Sequence, residues 1–384
     1  MKTTNLFMAM ATLTLAACSE NEVIDVNPDA HPAIGLDVYT GVQTKGAETT
    51  TNTIKGSDAG FGMLAYKTDG DWSSKKTGAK PEFMYNEHAT WTSGSWSYTN
   101  APLFWPTNTD KITFFAYAPY ESAPDAGTNK KIILSAKTKT GAPEITFEVK
   151  TTNDWKDMVD LVVDGRTEIQ NQTSTATGTG TAGTVKFKFS HILTKVADIK
   201  VKPSDDLGSN TKLYVTGLKL APGSSVLYSK AIYKFENGEW AATTTSPTYF
   251  TTVQDFTPFL NKTSQNNWGY TTSSVDASNN GTAASLFTSG EALYFIPVDN
   301  ATGTSNKGDL KLKISYDLVT KVDDNHNMTS SVTDKEVELP AGTFKKGTAH
   351  TYTLTIKMNT IKIDVEDSWT DWTAGSGGDI DVEN

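Results

Sequence analysis

The chain has 384 residues, a formal net charge of −10 and one cysteine. Its length leaves room for about two domains, and its acidic balance argues against nucleic-acid binding and against electrostatic docking on an anionic lipid surface. A lone cysteine excludes an intramolecular disulfide, and the five scattered histidines show no zinc-ligand spacing.

Residues 1–17 have the pattern of a cleaved secretory signal. Lys2 precedes an apolar run that is too short to span a bilayer, and small residues follow that run. The run ends in Leu15-Ala16-Ala17-Cys18, which resembles a bacterial lipobox and makes Cys18 the predicted lipidation site. The alternative is an ordinary signal peptide, with which Cys18 would be discarded.

The first strand follows an acidic tether, residues 19–32, that lacks a helical stripe. After the tether, side chains alternate with the period of a half-buried strand. The alternating series is Ile34, Leu36, Val38, Thr40 and Val42. The next residues, 43–51, are poor in apolar side chains and contain Lys45, so we expect an exposed loop that is open to proteolysis.

Short β-branched and aromatic runs, separated by Gly, Asn, Asp and Pro, continue from residue 61 to residue 365 with almost no helical periodicity. This pattern predicts an all-β protein made of β-sandwiches with an aromatic core. Residues 173–183 are small and cannot build a core. We therefore predict two sandwich domains in tandem, residues 46–182 and 183–384, and a long decorated loop over 243–285.

The C-terminal tail is rich in glycine and charge and ends with a brief alternation at Ile380 and Val382. Sequence alone leaves two interpretations of this tail. It is either a frayed end or a strand offered to a partner.

Catalytic motifs are missing: the sequence has no Gly-x-Ser-x-Gly elbow, no phosphate-binding glycine loop and no His-Glu-x-x-His. His191 has no sequence-readable nucleophile partner, which favours a packed or hydrogen-bonded role over that of a base. The aspartate-rich stretches 154–164 and 323–325 lack the Gly and Glu spacing of a calcium loop, although a calcium site there stays an alternative. We expect no enzymatic activity, no cofactor and no bound metal.

Motifs spread over nearly the whole chain resemble the fimbrillin family, the lipoprotein-derived subunits of type V pili in Bacteroidales. The segments that carry the resemblance are TKG at 44–46, FGMLAY at 61–66, FMYN at 83–86, WSY at 96–98, FWP at 104–106, FFAYAP at 114–119, FKFSH at 187–191 and VEDSW at 365–369. No single segment among them would suffice.

The resemblance implies two transthyretin-like, Greek-key β-sandwich domains, carried to the outer membrane as a lipoprotein. It also implies that a trypsin-like surface protease cuts between Lys45 and Gly46 and removes residues 18–45 with the first strand. Lysine stands here where an Arg-specific protease requires arginine. The opened groove would take a strand from the next subunit, with Ile380 and Val382 as the candidate donor.

The expected function is then that of a pilus stalk or tip subunit at the outer membrane and cell surface, serving adhesion or biofilm formation. Its expected partners are other pilus subunits, the processing protease, the outer membrane before cleavage and a surface receptor. One alternative is a permanently lipid-anchored glycan-binding protein, with Trp72, Trp91 and Trp96 stacking on sugars if exposed, although such aromatics lie more often in cores. An unrecognised hydrolase is the other.

Overall fold

The computed structural model describes residues 33–40, 49–56, 60–106, 111–122, 132–149, 158–164, 171–172, 183–223, 227–242, 248–279, 281–297, 310–324, 326–340, 344–357, 360–367, 373–374 and 380–382. In these residues the protein is almost entirely β-structure, which confirms the predicted all-β class. The two α-helices in them are short, α1 (Thr51–Lys55) and α2 (Trp72–Lys75).

Ten strands precede residue 192: β1 (Gly35–Thr40), β2 (Phe61–Thr68), β3 (Met84–Thr92), β4 (Ser95–Tyr98), β5 (Lys111–Ala118), β6 (Ile132–Leu134), β7 (Glu144–Glu148), β8 (Val162–Asp164), β9 (Asn171–Gln172) and β10 (Thr184–His191).

The later strands are β11 (Thr194–Pro203), β12 (Thr211–Pro222), β13 (Tyr228–Lys234), β14 (Glu239–Ala241), β15 (Thr248–Tyr249), β16 (Gln254–Asp255), β17 (Val275–Asp276), β18 (Ala284–Ser285), β19 (Leu293–Phe295), β20 (Leu310–Lys321), β21 (Asn327–Glu338), β22 (Thr348–Ile356), β23 (Ile361–Asp367), β24 (Thr373–Ala374) and β25 (Ile380–Val382). Two 3₁₀ turns lie at Asp205–Leu207 and Thr257–Phe259.

The first sheet has the strand order β1-β10-β8-β5-β2-β3-β4, with β9 paired to β5. Its central strands β2 and β5 are buried on both faces, and successive side chains of a strand point to opposite faces. Phe61 and Phe114 therefore lie in one hydrophobic core, whereas Leu64 and Phe115 lie in another. The first sheet therefore separates two hydrophobic cores.

We call the smaller of these the first core. Its buried residues are Ile34, Val38, Ile54, Phe61, Met63, Ala65, Met84, Ala89, Tyr98, Trp105, Ile112, Phe114, Ala116, Ala118, Val162, Val185, Phe187 and Phe189. These residues come from β1, α1, the strands of the first sheet and the segment after β4. Because the two ends of the sheet, β1 and the segment that follows β4, meet through hydrogen bonds, the sheet curls around the first core.

The main core lies among three further sheets and the opposite face of the first sheet. Two of these sheets have the orders β18-β11-β22-β23-β25 and β16-β12-β20-β21, and the third has the order β14-β13-β7-β6. The small strands β15, β17, β19 and β24 pair at the sides of these sheets.

The predicted domain boundary falls between residues 182 and 183, immediately before β10. β10 pairs with β1 and β8 in the first sheet, and β7 pairs with β13 across the same point. The sheets therefore do not divide there. A small-residue stretch indicates a loop, but it does not tell which strand the next strand will pair with. The division into two tandem domains stays a prediction.

Two local expectations were wrong. The segment 43–51 was expected to be an exposed loop; residues 43–48 lie outside the described residues, but Thr50 is 5% exposed and caps α1 with its hydroxyl, so the expectation fails at the end of the segment. The range 243–285, expected to be a loop, contains β15 to β18, which pair with β13, β12 and β11. Strands of two residues are too short to show a period in the sequence.

Candidate functional site: the seat of the first strand

β1 is the edge strand of the first sheet and pairs in parallel with β10, from Gly35 opposite Thr184 to Thr40 opposite Phe189. Ile34 and Val38 are 4% and 5% exposed. Leu36 is half-buried and packs against the first core. The Thr40 side chain and all of Val42 lie outside the described residues. The alternating residues Ile34, Leu36 and Val38 thus pack at the edge of the first core.

Ile34, the residue before β1, contacts the end of β4 and the segment after it. The Ile34 amide donates to the Leu103 carbonyl at 2.8 Å, and the Tyr98 hydroxyl donates to the Ile34 carbonyl at 3.3 Å. The Gly35 amide donates to the Gly183 carbonyl, just before β10, at 2.9 Å. β1 therefore closes the gap between the two ends of the curled sheet. We call this gap, from β10 to the Tyr98–Leu103 segment, the seat.

Two buried aromatic side chains fix the walls of the seat. The Trp105 indole donates to the Gly183 carbonyl at 2.8 Å, and the Tyr98 hydroxyl accepts from the Leu103 amide at 2.9 Å. Burial raises the pKa of the Tyr98 phenol, so the hydroxyl keeps its proton at neutral pH and can donate to the first strand.

The floor of the seat is aromatic. Phe61 makes edge-on contacts with both Phe187 and Phe189 of β10, at 5.4 Å between ring centroids in each case. Val185, Phe187 and Phe189 face the first core, whereas Lys186 and Lys188 between them are exposed. Without β1, these rings lose their cover and β10 becomes an open edge, a condition that proteins usually avoid.

Thr49, just after the predicted cut, is hydrogen-bonded to a buried aspartate. The Thr49 amide donates to Oδ2 of Asp160 at 2.9 Å, and the Thr49 hydroxyl donates to the Asp160 carbonyl at 2.6 Å. His191 Nδ1 lies 3.0 Å from Oδ2 of the same carboxylate. Asp160 and His191 are 1% and 6% exposed. His191 is thus a buried, hydrogen-bonded residue, as its sequence context indicated.

The C-terminal strand β25 pairs antiparallel with β23 of the same chain. Ile380 lies opposite Ile363, and Val382 lies opposite Ile361. Among the residues that the structure describes, three pairs join β25 to β23, at the outer edge of the sheet. The donor role predicted for Ile380 and Val382 stays a prediction.

The tryptophans considered for sugar stacking are covered. Trp72 is 5% exposed. Trp96 is half-buried between Phe61 and Trp91, at centroid distances of 5.1 and 5.4 Å. The Lys55 ammonium lies 4.1 Å from the ring centroid of Trp91. These contacts give the three rings structural roles, so they do not form a shared open platform.

Several predicted residues lie outside the described residues: Cys18, Lys45 and Gly46, together with Asp154 and Asp157. Within the described ranges, no group of three or more His, Cys, Asp or Glu residues is placed to hold a metal ion. In those same ranges, no helix is long and apolar enough to cross a membrane.

Sequence reasoning missed the walls of the seat. Tyr98 and Trp105 read as ordinary core aromatics, and nothing in the sequence assigns Leu103 or Gly183 to the first strand. Tyr98 and Ile34 are 64 positions apart in the chain, and Trp105 and Gly183 are 78 apart. The aromatic motifs at 96–98 and 104–106 contributed to the family resemblance, but they did not indicate which strand these residues contact.

Comparison with known proteins gives a consistent family. A family profile described as "Fimbrillin-like" matches residues 47–372. The "Fimbrium subunit Fim1C" of Phocaeicola vulgatus is 59% identical over 384 residues, which is 100% of both chains. A crystal structure of a fimbrial protein from Bacteroides vulgatus, also 59% identical, covers 89% of this chain and 99% of its own with a TM-score of 0.80.

The architecture is therefore that of a structural, non-enzymatic subunit of cell-surface fimbriae. The chain belongs to the fimbrillin-like family. The profile match leaves out β1 at one end and β24 and β25 at the other. All other described strands lie within it.

Proposed function

We propose that this fimbrial subunit, as stalk or tip, polymerises by donor-strand complementation after a protease has removed residues 18–45. The observation that carries the proposal is the position of β1. It is an edge strand that covers the first core, and it lies on the N-terminal side of the predicted cut after Lys45. One cut in the following loop would leave it attached to the body only by noncovalent contacts.

The emptied seat would favour a replacement strand. Loss of β1 uncovers the apolar sites filled by Ile34 and Val38 and leaves backbone groups of β10 without partners. Burying apolar surface and satisfying those groups both favour an incoming extended segment. A donor needs apolar side chains two residues apart, because alternate residues of a strand share one face.

The tail of a neighbouring subunit fits this requirement. Ile380 and Val382 have the two-residue spacing of Ile34 and Leu36. The last seven residues, 378–384, span about 23 Å when extended, against about 20 Å for the six residues of β1. Among the described residues, three pairs join β25 to β23 and six pairs join β1 to β10, so release of β25 breaks fewer of these strand pairings than release of β1.

The lipid predicted at Cys18 leaves with the first strand in this scheme. Cys18 would hold the unprocessed subunit on the outer membrane, while β1 keeps the seat filled and prevents early assembly. The protease that cuts after Lys45 is then the trigger of polymerisation. Adhesion or biofilm formation is the function of the finished pilus, with other fimbrial subunits as the partners.

Processing and assembly can be reconstituted with protein that starts at Ser19. Trypsin treatment of this protein should yield filaments in negative-stain electron microscopy. Lys45→Gln, which removes the cleavable residue and leaves the described structure untouched, should stay monomeric. A chain that lacks residues 378–384 should be cut and remain monomeric. Filaments of normal length from either variant would contradict the proposal.

A further inference from the structure

A buried carboxylate holds the chain just downstream of the proposed cut. Asp160 accepts from the Thr49 amide and lies within hydrogen-bond distance of the His191 ring, while its own carbonyl accepts from the Thr49 hydroxyl. The three residues come from distant parts of the sequence, 111 positions apart for Thr49 and Asp160.

The helix that follows adds to this fixation. The Thr50 hydroxyl accepts from the Thr53 amide at 3.2 Å, and the Thr53 hydroxyl accepts from the Thr50 amide at 2.6 Å, which forms a capping box. Ile54 of α1 is buried in the first core. Lys55, the first basic residue after Lys45, ends the helix and lies over the Trp91 ring.

The two sides of the cut are therefore held in different ways. Upstream, Thr40 ends an edge strand opposite Phe189. Downstream, Thr49 is bonded to Asp160, and Asp160 is bonded to His191, two residues beyond Phe189 on the same strand β10. Both attachments lie at the same end of β10, but only the downstream one includes a buried ionisable pair.

We propose that Asp160 and His191 form an anchor that retains the new N-terminal segment when the first strand leaves. Only the segment upstream of the cut then leaves the protein. Proteolysis stops at Lys45 because Lys55 is kept in a helix, which a protease cannot bind in the extended form that cleavage needs. This inference rests on the proposed function and concerns the regulation of the same processing site. It assigns a role to a His–Asp pair that strand replacement itself does not use.

Limited trypsinolysis followed by intact-mass measurement tests the anchor. In the wild-type chain the product should begin at Gly46 and persist. In Asp160→Asn a second product that begins at Gly56 should form at least about tenfold faster, because weakening the buried hydrogen bond from the Thr49 amide shifts a local opening equilibrium by this order. Thr49→Val, which removes only the hydroxyl bond, should give a smaller increase.

Asp198→Asn is the matched control. Asp198 is a half-buried aspartate that accepts from the Ser285 hydroxyl at 2.9 Å, but it lies on β11, away from Thr49. Its variant should be processed like the wild type. If the rate of cleavage after Lys55 in Asp160→Asn stays within about twofold of the rate in Asp198→Asn, the proposed anchor is refuted.

Failure of the proposed function gives a different result. If the wild-type chain is not cut after Lys45, processing fails, and the anchor is then read from amide hydrogen exchange of residues 49–56 in the uncut protein. Exchange at least about tenfold faster in Asp160→Asn than in Asp198→Asn supports the anchor. Equal exchange in the two variants overturns it.

Discussion

Removal of the first strand should destabilise the first core and leave it able to bind an equivalent peptide. The perturbation is cleavage after Lys45, followed by separation of the upstream fragment under mild denaturant and return to native buffer. The product lacks Ile34, Leu36 and Val38 but keeps every other described element of the first core. It is compared with the uncut chain.

The size of the effect follows from burial. Ile34 and Val38 are 4% and 5% exposed, and each such side chain contributes about 1.5–3 kcal/mol when buried. Half-buried Leu36 adds about 1 kcal/mol on the same scale. Loss of the strand should therefore lower the stability of the first core by about 4–7 kcal/mol, before any contribution from the bonds to Leu103 and Gly183.

Differential scanning calorimetry at a fixed protein concentration measures this change. A drop in the melting temperature of about 10 °C or more is expected for the transition that includes the first core. A peptide of residues 33–42 should restore the transition in a concentration-dependent way. The control peptide carries aspartate in place of Leu36 and Val38, and it should not restore stability.

Two results would refute this reasoning. An unchanged melting transition in the stripped protein would mean that β1 does not cover the core. Equal rescue by the control peptide would mean that apolar side chains do not fill the seat. Tyr98→Phe provides an intermediate point, since it removes the hydroxyl that donates to the Ile34 carbonyl and accepts from the Leu103 amide, and it should cost about 1–3 kcal/mol.

The remaining predictions concern packing and pH. Gly62→Ala would place a methyl group 2.3 Å from the Tyr117 ring, whereas Gly78 has nothing within 4 Å; urea unfolding should show a loss of about 3 kcal/mol for the first variant and little change for Gly78→Ala, and equal midpoints would contradict the packing. The hydrogen bond from Lys219 lowers the pKa of Asp334 from 3.8. The stabilisation from this hydrogen bond is therefore present above pH 3.8 and is lost as the pH falls through the folded pKa of Asp334. The difference in unfolding free energy between wild type and Asp334→Asn should accordingly shrink below pH 3.8. A pH-independent difference would contradict the pairing.

The strands could be predicted from the sequence where the alternating runs are long. The Ile34–Leu36–Val38 alternation and the run from Val185 to Phe189 both form strands with the expected faces. These patterns work because a half-buried strand imposes a period of two on its own residues. Pairing between strands leaves no such local mark, so the parallel contact between β1 and β10 could not be read in advance.

The same limit explains what was missed at the site. A strand's own side chains reveal that it has a buried face, but its backbone bonds to Leu103 and Gly183 depend only on where distant segments pass. The Asp160–His191 pair is another case, because each residue is unremarkable in its own stretch. A calcium site was kept only as an alternative for the aspartates at 154–164, and the one described carboxylate that is deeply buried, Asp160, is bonded to Thr49 and His191.

The most direct test of the account is the N-terminus of the protein in assembled pili. Filaments sheared from the cell surface can be analysed by mass spectrometry after separation from membrane-bound material. We predict that the polymerised subunit begins at Gly46 and that cells with the Lys45→Gln variant carry no filaments of it. Filaments whose subunits retain a lipidated Cys18 would contradict it.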